Sequence, residues 1–144
     1  KLVEPYDMLK FGALYATQRK IVGSSTACVV GIVNGELHSA QVGDSCFLIY
    51  RPSDKTVVYR APEQQHQFNF PFQLGTGGDP VTSAFCVAVK VLPGDYVVTG
   101  TDGLWDNLDD EELIEFLQKG VCFSFYLHVN SYADRPRRFT QNDR

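Results

Sequence analysis

The pair Asn34-Gly35, set between two β-rich runs, constrains this chain more than any other feature. A two-residue hairpin turn that matches strand twist needs positive φ at both central positions, and asparagine and glycine adopt it at little cost. Residues 25–33 are therefore expected to double back on residues 36–42. The same grammar recurs along the chain. Gly43-Asp44-Ser45 is a tight turn before a third run at 46–51, Pro52-Ser53-Asp54-Lys55 turns into a fourth at 56–60, and Leu92-Pro93-Gly94-Asp95 joins runs at 84–91 and 96–101. Helical spacing occurs outside these runs. Met8, Leu9, Phe11, Leu14 and Tyr15 predict a helix over residues 5–20, ending before Gly23. A second helix is expected after Asp109 as its N-cap, with Glu112 at the capping-box position, Leu113, Ile114 and Leu117 as its buried face, and Lys119-Gly120 as its stop. Successive hairpins flanked by helices predict an α+β fold with a largely antiparallel sheet, not alternating βαβ units. Residues 61–80, polar and aromatic, are expected to form one long loop, with Gly75-Thr76-Gly77-Gly78 as a flexible lid.

A length of 144 residues suits one domain, and 44% hydrophobic with 21% charged residues is ordinary for a soluble globular protein. A formal net charge of -4 argues against a nucleic-acid partner, because no basic stripe is present to neutralise phosphates. The cluster Arg135, Arg137 and Arg138 reads as a solvated tail. No apolar run approaches the length of a membrane span. The first residue is Lys1, so any targeting peptide is expected to lie outside the sequence. Cys28, Cys46, Cys86 and Cys122 include no Cys-x-x-Cys pair, which disfavours zinc or a disulfide framework. The first three lie in strand-like runs as small buried hydrophobes, which fits a reducing compartment. Residues 1–120 read as the patterned part of a domain, and residues 121–144 as a divergent, poorly ordered end.

Chemistry concentrates where apolar strands end in acid and glycine. The run at 97–101 stops at Asp102-Gly103, and Asp106 follows four residues later. Asp44 stands in the turn Val42-Gly43-Asp44-Ser45. Singly, each fragment is an ordinary turn. Were the two strands to share a sheet, Asp44, Asp102 and Asp106 would converge, and a set of oxygen ligands alone suits Mg²⁺, Mn²⁺ or Ca²⁺ rather than Zn²⁺. Trp105 reads as packing behind this loop, and His38 as a structural strand histidine.

Taken in order, Gly23-Ser24-Ser25-Thr26-Ala27, Val42-Gly43-Asp44-Ser45 and Thr101-Asp102-Gly103-Leu104-Trp105-Asp106-Asn107 resemble successive motifs of the metal-dependent (type 2C) protein serine/threonine phosphatases. Glu63-Gln64-Gln65-His66, Phe68-Asn69 and Pro71-Phe72-Gln73-Leu74 resemble the subgroup linked to mitochondrial coenzyme Q biosynthesis. The resemblance runs from Gly23 to Leu117. It implies two β-sheets sandwiched between helices in α-β-β-α layers. It also implies hydrolysis of phosphoserine and phosphothreonine in protein substrates by a water activated on paired Mg²⁺ or Mn²⁺ ions. By position, Asp102 matches a ligand of the paired ions, and Asp44, Asp102 and Asp106 together match a third, weaker site. Gly103 would support the metal loop, and His66 would touch substrate or fix its loop. A mitochondrial address follows from the subgroup, with cytoplasm or plastid as alternatives.

The family's early Asp-Gly motif and N-terminal phosphate-binding arginine have no match, and Asp134 and Asp143 lack the context of its late metal ligand. The chain is thus expected to be an incomplete phosphatase domain, ligand-poor on its own, with strand edges left open. The same absences motivate an alternative of another class, a non-catalytic phosphatase-like binding module.

Overall fold

In the computed structural model, residues 4–120 and the backbone of residues 126–128 are described. The readings placed on the remaining residues of 121–144, including Cys122, Asp134, Asp143 and the arginine cluster, lie outside the described residues.

The chain opens with helix α1 (Pro5–Gln18), where Pro5 supplies a preset φ at the first position and Asp7 sits in the first turn. Strands β1 (Ser24–Ser25) and β2 (Ala27–Val33) follow, then β3 (Glu36–Val42), β4 (Cys46–Arg51) and β5 (Thr56–Arg60). Asn34 and Gly35 adopt φ of 50° and 76°, so the hairpin closes through the positive-φ turn that their side chains favour. The short strands β6 (Gln65–Gln67), β7 (Phe70–Pro71) and β8 (Leu74–Gly75) lie in the region expected to be loop. A 3-10 turn at Val81–Ser83 leads to β9 (Phe85–Lys90) and β10 (Tyr96–Gly100), then α2 (Asp102–Trp105), α3 (Asp110–Gln118) and β11 (Tyr126–His128).

Two antiparallel sheets form the centre, ordered β2-β3-β9 and β11-β10-β4-β5. Side-chain alternation sends one face of each sheet inward. Leu37, Cys46, Phe47, Ile49 and Val97 fill the space between the sheets. Leu9 of α1 packs on Ala40 and Val42 across the outer face of β3. Leu113 and Leu117 of α3 pack on Leu48, Tyr50 and Val98 across the outer face of the second sheet. The result is the expected layering, helix on sheet on sheet on helix, and the described strands close no barrel. Strand β4 is buried on both faces, which explains its unbroken apolar sequence. The Tyr50 hydroxyl, fully buried, accepts a hydrogen bond from Gln118 Nε2 at 2.7 Å and so links β4 to the last turn of α3.

Two expectations are corrected, and one element is added. Residues 61–80 are not an unpaired loop: β6 pairs with β7, β8 pairs with β1, and Thr76 N–H donates to the Gly23 carbonyl at 2.9 Å. The glycine run is therefore tied to the chain beside β2 and is no free lid. Cys86 is exposed rather than buried, because β9 is an edge strand whose alternate residues face outward. Residues 102–105 form a separate helical turn ahead of α3, a single turn being too short to show a period.

The α3 start follows its sequence signature closely. Glu112 N–H donates to Asp109 Oδ1 at 2.8 Å and Asp109 N–H donates to Glu112 Oε2 at 3.2 Å, a complete capping box.

Candidate functional site

Register brings the acidic turns together. In the antiparallel pair β4–β10, Gly100 lies opposite Cys46, so the chain leaves β10 at Thr101-Asp102 directly beside the turn Gly43-Asp44-Ser45 that enters β4. Asp44 is only 8% exposed, whereas Asp102 and Asp106 face solvent. Burial pushes the Asp44 pKa up, a backbone hydrogen bond pulls it partly back, and the negative charges of Asp102 and Asp106 add to the rise. All three carboxylates therefore stand on one side of the molecule, close enough to feel one another. Among the described residues, no three histidine, cysteine or acidic side chains close tightly enough to enclose a metal ion. The donors suit a hard dication by charge and atom type, and they form an open acidic rim rather than a finished cage.

The turn that carries Asp44 can be built only with glycine beside it. Gly43 has φ of 101°, and a Cβ there would come within 2.5 Å of both the Phe72 carbonyl oxygen and Thr26 Cγ2. Thr26 and Ser45 share a hydrogen bond of 2.7 Å between their hydroxyls, joining the first resemblance motif to the second. Gln64, quoted above only as part of a motif, turns out to brace the same turn. Its backbone N–H donates to the Gly43 carbonyl at 3.0 Å, its Oε1 accepts from Gly43 N–H at 3.3 Å, and its Nε2 donates to the Ser83 carbonyl at 2.8 Å. No spacing signal marks such a residue, because a side-chain amide reading two distant backbones leaves no local pattern.

The second turn is held from behind. Gly103 N–H donates to Asp102 Oδ1 at 2.7 Å, and Asp106 N–H donates to the Asp102 carbonyl at 2.8 Å. Trp105 packs against both interior clusters and donates its indole N–H to the Gly100 carbonyl at 2.9 Å. The expected packing role of Trp105 is the one observed.

His66 has different company. Its Nε2 lies 2.9 Å from Asp79 Oδ1, and its ring stacks on Phe72 with centroids 4.2 Å apart. Asp79 also accepts from Gln73 N–H at 2.9 Å, and these two contacts, the amide first, hold its carboxyl below the ordinary range. His66 thus fastens residues 64–79 into one unit. His38 lies between Glu4, at 3.5 Å, and Glu36, at 3.2 Å, joining the start of α1 to β3.

No family model matches the chain. It is 46% identical over 107 residues to probable protein phosphatase 2C 55 of Arabidopsis thaliana, a match covering 73% of this chain and 22% of that protein. It is 40% identical over 110 residues to the protein phosphatase PTC7 homolog of Homo sapiens, covering 69% of this chain and 36% of that protein. The chain thus spans well under half the length of either relative. Among solved structures, the photosystem II phosphatase PBCP superposes with a TM-score of 0.74 at 29% identity, over 80% of this chain and 45% of that one.

Proposed function

We propose, from the premise that this chain belongs to the protein phosphatase 2C family, that the protein it comes from hydrolyses phosphoserine and phosphothreonine in proteins with a divalent metal of the Mg²⁺ or Mn²⁺ class. The observation that carries this reading is the juxtaposition of the Asp44 and Asp102 turns by the β4–β10 register. Asp102 would contribute to the paired ions, and Asp44, Asp102 and Asp106 would hold a third. Bound there, such ions would supply a water acidic enough to act at neutral pH and would offset charge on the phosphoryl oxygens. The protein's own part is to hold the acidic turns in register through Gly43, Gln64 and Trp105, so that their carboxylates stand side by side where a cation would relieve their mutual repulsion. Relatives named as phosphatases support hydrolysis over a non-catalytic module. Similarity to the PTC7 homolog supports the subgroup resemblance, and with it we propose mitochondrial residence. The test is phosphate release from a phosphothreonine peptide by the full-length protein. It should require Mn²⁺ or Mg²⁺ and cease on chelation; release that persists in excess chelator would refute the proposal.

The electrostatics of Asp44 give a second check on this chain. Its folded pKa is raised, so between the ordinary aspartate value and that raised value the folded state keeps a proton the unfolded chain has lost. Stability from this group is present below the ordinary aspartate pKa, about 3.9, and is lost as pH rises through the raised value. Above that value the buried Asp44 carboxylate beside Asp102 and Asp106 is a standing cost that a cation removes. Mn²⁺ at about 100 times its Kd should add about 2.7 kcal/mol, raising Tm by roughly 5–10 °C at pH 7, and should do little near pH 4. Equal Mn²⁺ shifts at the two pH values in differential scanning fluorimetry would separate the metal from these carboxylates.

A further inference from the structure

We infer that Arg60 is a positioning residue for the Asp102–Asp106 turn, acting through the face of Trp105 and the start of α3. The inference rests on the metal reading above for its consequence and on geometry for its substance.

A helix of four residues cannot sustain itself, because the cost of fixing its first turn is returned only by further turns or by tertiary contacts. Helix α2 (Asp102–Trp105) has no side-chain cap at Thr101. Its orientation, and so the direction of Asp102 and Asp106, must be set from outside. The structure shows one such hold in the indole N–H bond to the Gly100 carbonyl, which pins one edge of Trp105. The packing of Leu104 and Trp105 on the interior is a second, and Arg60 is a third, its guanidinium carbon 4.0 Å from the centre of the Trp105 ring. The same guanidinium donates from Nε to Asp110 Oδ1 at 3.3 Å and from Nη1 to the Ala61 carbonyl at 3.2 Å, and its Nη2 lies 3.8 Å from Glu63 Oε1.

These partners lie on separate elements. Arg60 ends β5, Trp105 ends α2, and Asp110 opens α3. One flat, delocalised cation therefore spans the strand and both helical segments that bracket Asp106. Such a plate stacks on an aromatic face while its edge stays free to hydrogen-bond in plane, which a lysine ammonium cannot do. The side chain is 27% exposed, so the contact is partly shielded from solvent. With Arg60 in place, Trp105 is clamped between cation and core, and the turn that carries Asp102 and Asp106 is held beside Asp44 without an ion having to order it. Loss of the plate uncovers one face of Trp105 and loosens α2, which then keeps only its bond to Gly100 and the packing of Leu104 and Trp105 on the interior.

Trp105 is the sole tryptophan of the chain, so its fluorescence reads this turn alone. In Arg60→Gln, acrylamide quenching of Trp105 should rise at a temperature well below Tm with far-UV circular dichroism unchanged. The Mn²⁺ concentration at the midpoint of a fluorescence titration should increase about tenfold, the scale expected when a group supporting metal ligands is removed. Arg60→Lys should fall between wild type and Arg60→Gln in both readouts. A role confined to global stability would lower Tm and leave quenching of the folded protein unmoved. Quenching in Arg60→Gln equal to wild type overturns the inference, as does an unchanged Mn²⁺ midpoint. Should Arg60→Gln not fold, unchanged quenching in Arg60→Lys overturns it equally. A wild-type chain without any saturable Mn²⁺ response sinks the metal assignment instead, and the quenching comparison still decides what Arg60 does.

Discussion

Replacing Asp102 with asparagine is expected to reduce metal-dependent phosphate release by the full-length protein about 100-fold or more while leaving the fold intact. Groups that merely support metal ligands already cost 10–100-fold when removed, and a carboxylate that binds the ion directly, the role proposed for Asp102, should cost at least as much. Asparagine is chosen because it keeps an Oδ1 acceptor for the Gly103 N–H, the hydrogen bond of 2.7 Å that shapes the turn. It removes only the negative charge. Asp102 is solvent-facing, so Tm should move little in the absence of metal. In the presence of Mn²⁺ the wild-type gain in Tm should shrink in the variant. Full activity in Asp102→Asn, measured at saturating Mn²⁺, would remove this residue from the catalytic centre and leave the β4–β10 juxtaposition without a chemical purpose.

The elements that carry that juxtaposition were legible in the residues because short-range signals fix them. Asn34-Gly35 sets one hairpin, the apolar runs at 46–51 and 96–101 declare buried strands, and the Asp109/Glu112 box sets where α3 begins. Each of these is decided within a few residues. What was not legible depends on partners distant along the chain. Ser24-Ser25 becomes a strand only because Leu74-Gly75 comes to lie beside it, and two-residue strands have no period to detect. The tie between the Gly75 region and Gly23 turns an apparent lid into a fixed wall. The turn at 102–105 is helical because Trp105 is held by Gly100 and Arg60, and nothing in Asp-Gly-Leu-Trp announces that. Gln64 escaped for the same reason. The three carboxylates were singled out from turn chemistry, but the pairing of β4 with β10 that brings their turns together joins strands distant along the chain and has no local signal, and β3, the strand that runs into Asp44, lies in the other sheet.

The same dependence on distant partners underlies the largest stability effect expected in this chain. Asp95 is 1% exposed, yet it carries a carboxylate in the turn between β9 and β10. Arg51, 44 positions earlier at the end of β4, grips it through two hydrogen bonds, Nε to Oδ1 at 2.8 Å and Nη2 to Oδ2 at 2.7 Å. Leu92 N–H adds a third to Oδ2 at 2.8 Å and closes the turn. Because β9 and β10 belong to different sheets, this pair ties the crossover between sheets to the central strand β4. Asp95→Ala would leave the Arg51 guanidinium, itself mostly shielded, without its counter-charge and the Leu92 amide without its acceptor. Breaking such a pair costs about 3–5 kcal/mol, against a typical total stability of roughly 5–15 kcal/mol. Urea unfolding should show the midpoint falling accordingly, with Tm lower by roughly 10 °C. Arg51→Met combined with Asp95→Ala should recover part of the loss, since no unpaired buried charge then remains. Asp95→Ala within about 1 kcal/mol of wild type would show that the grip adds little to the join between the sheets. In that case the position of β10, and of the acidic turn it delivers, would rest on its pairing with β4 and on the packing of Val97 and Val98.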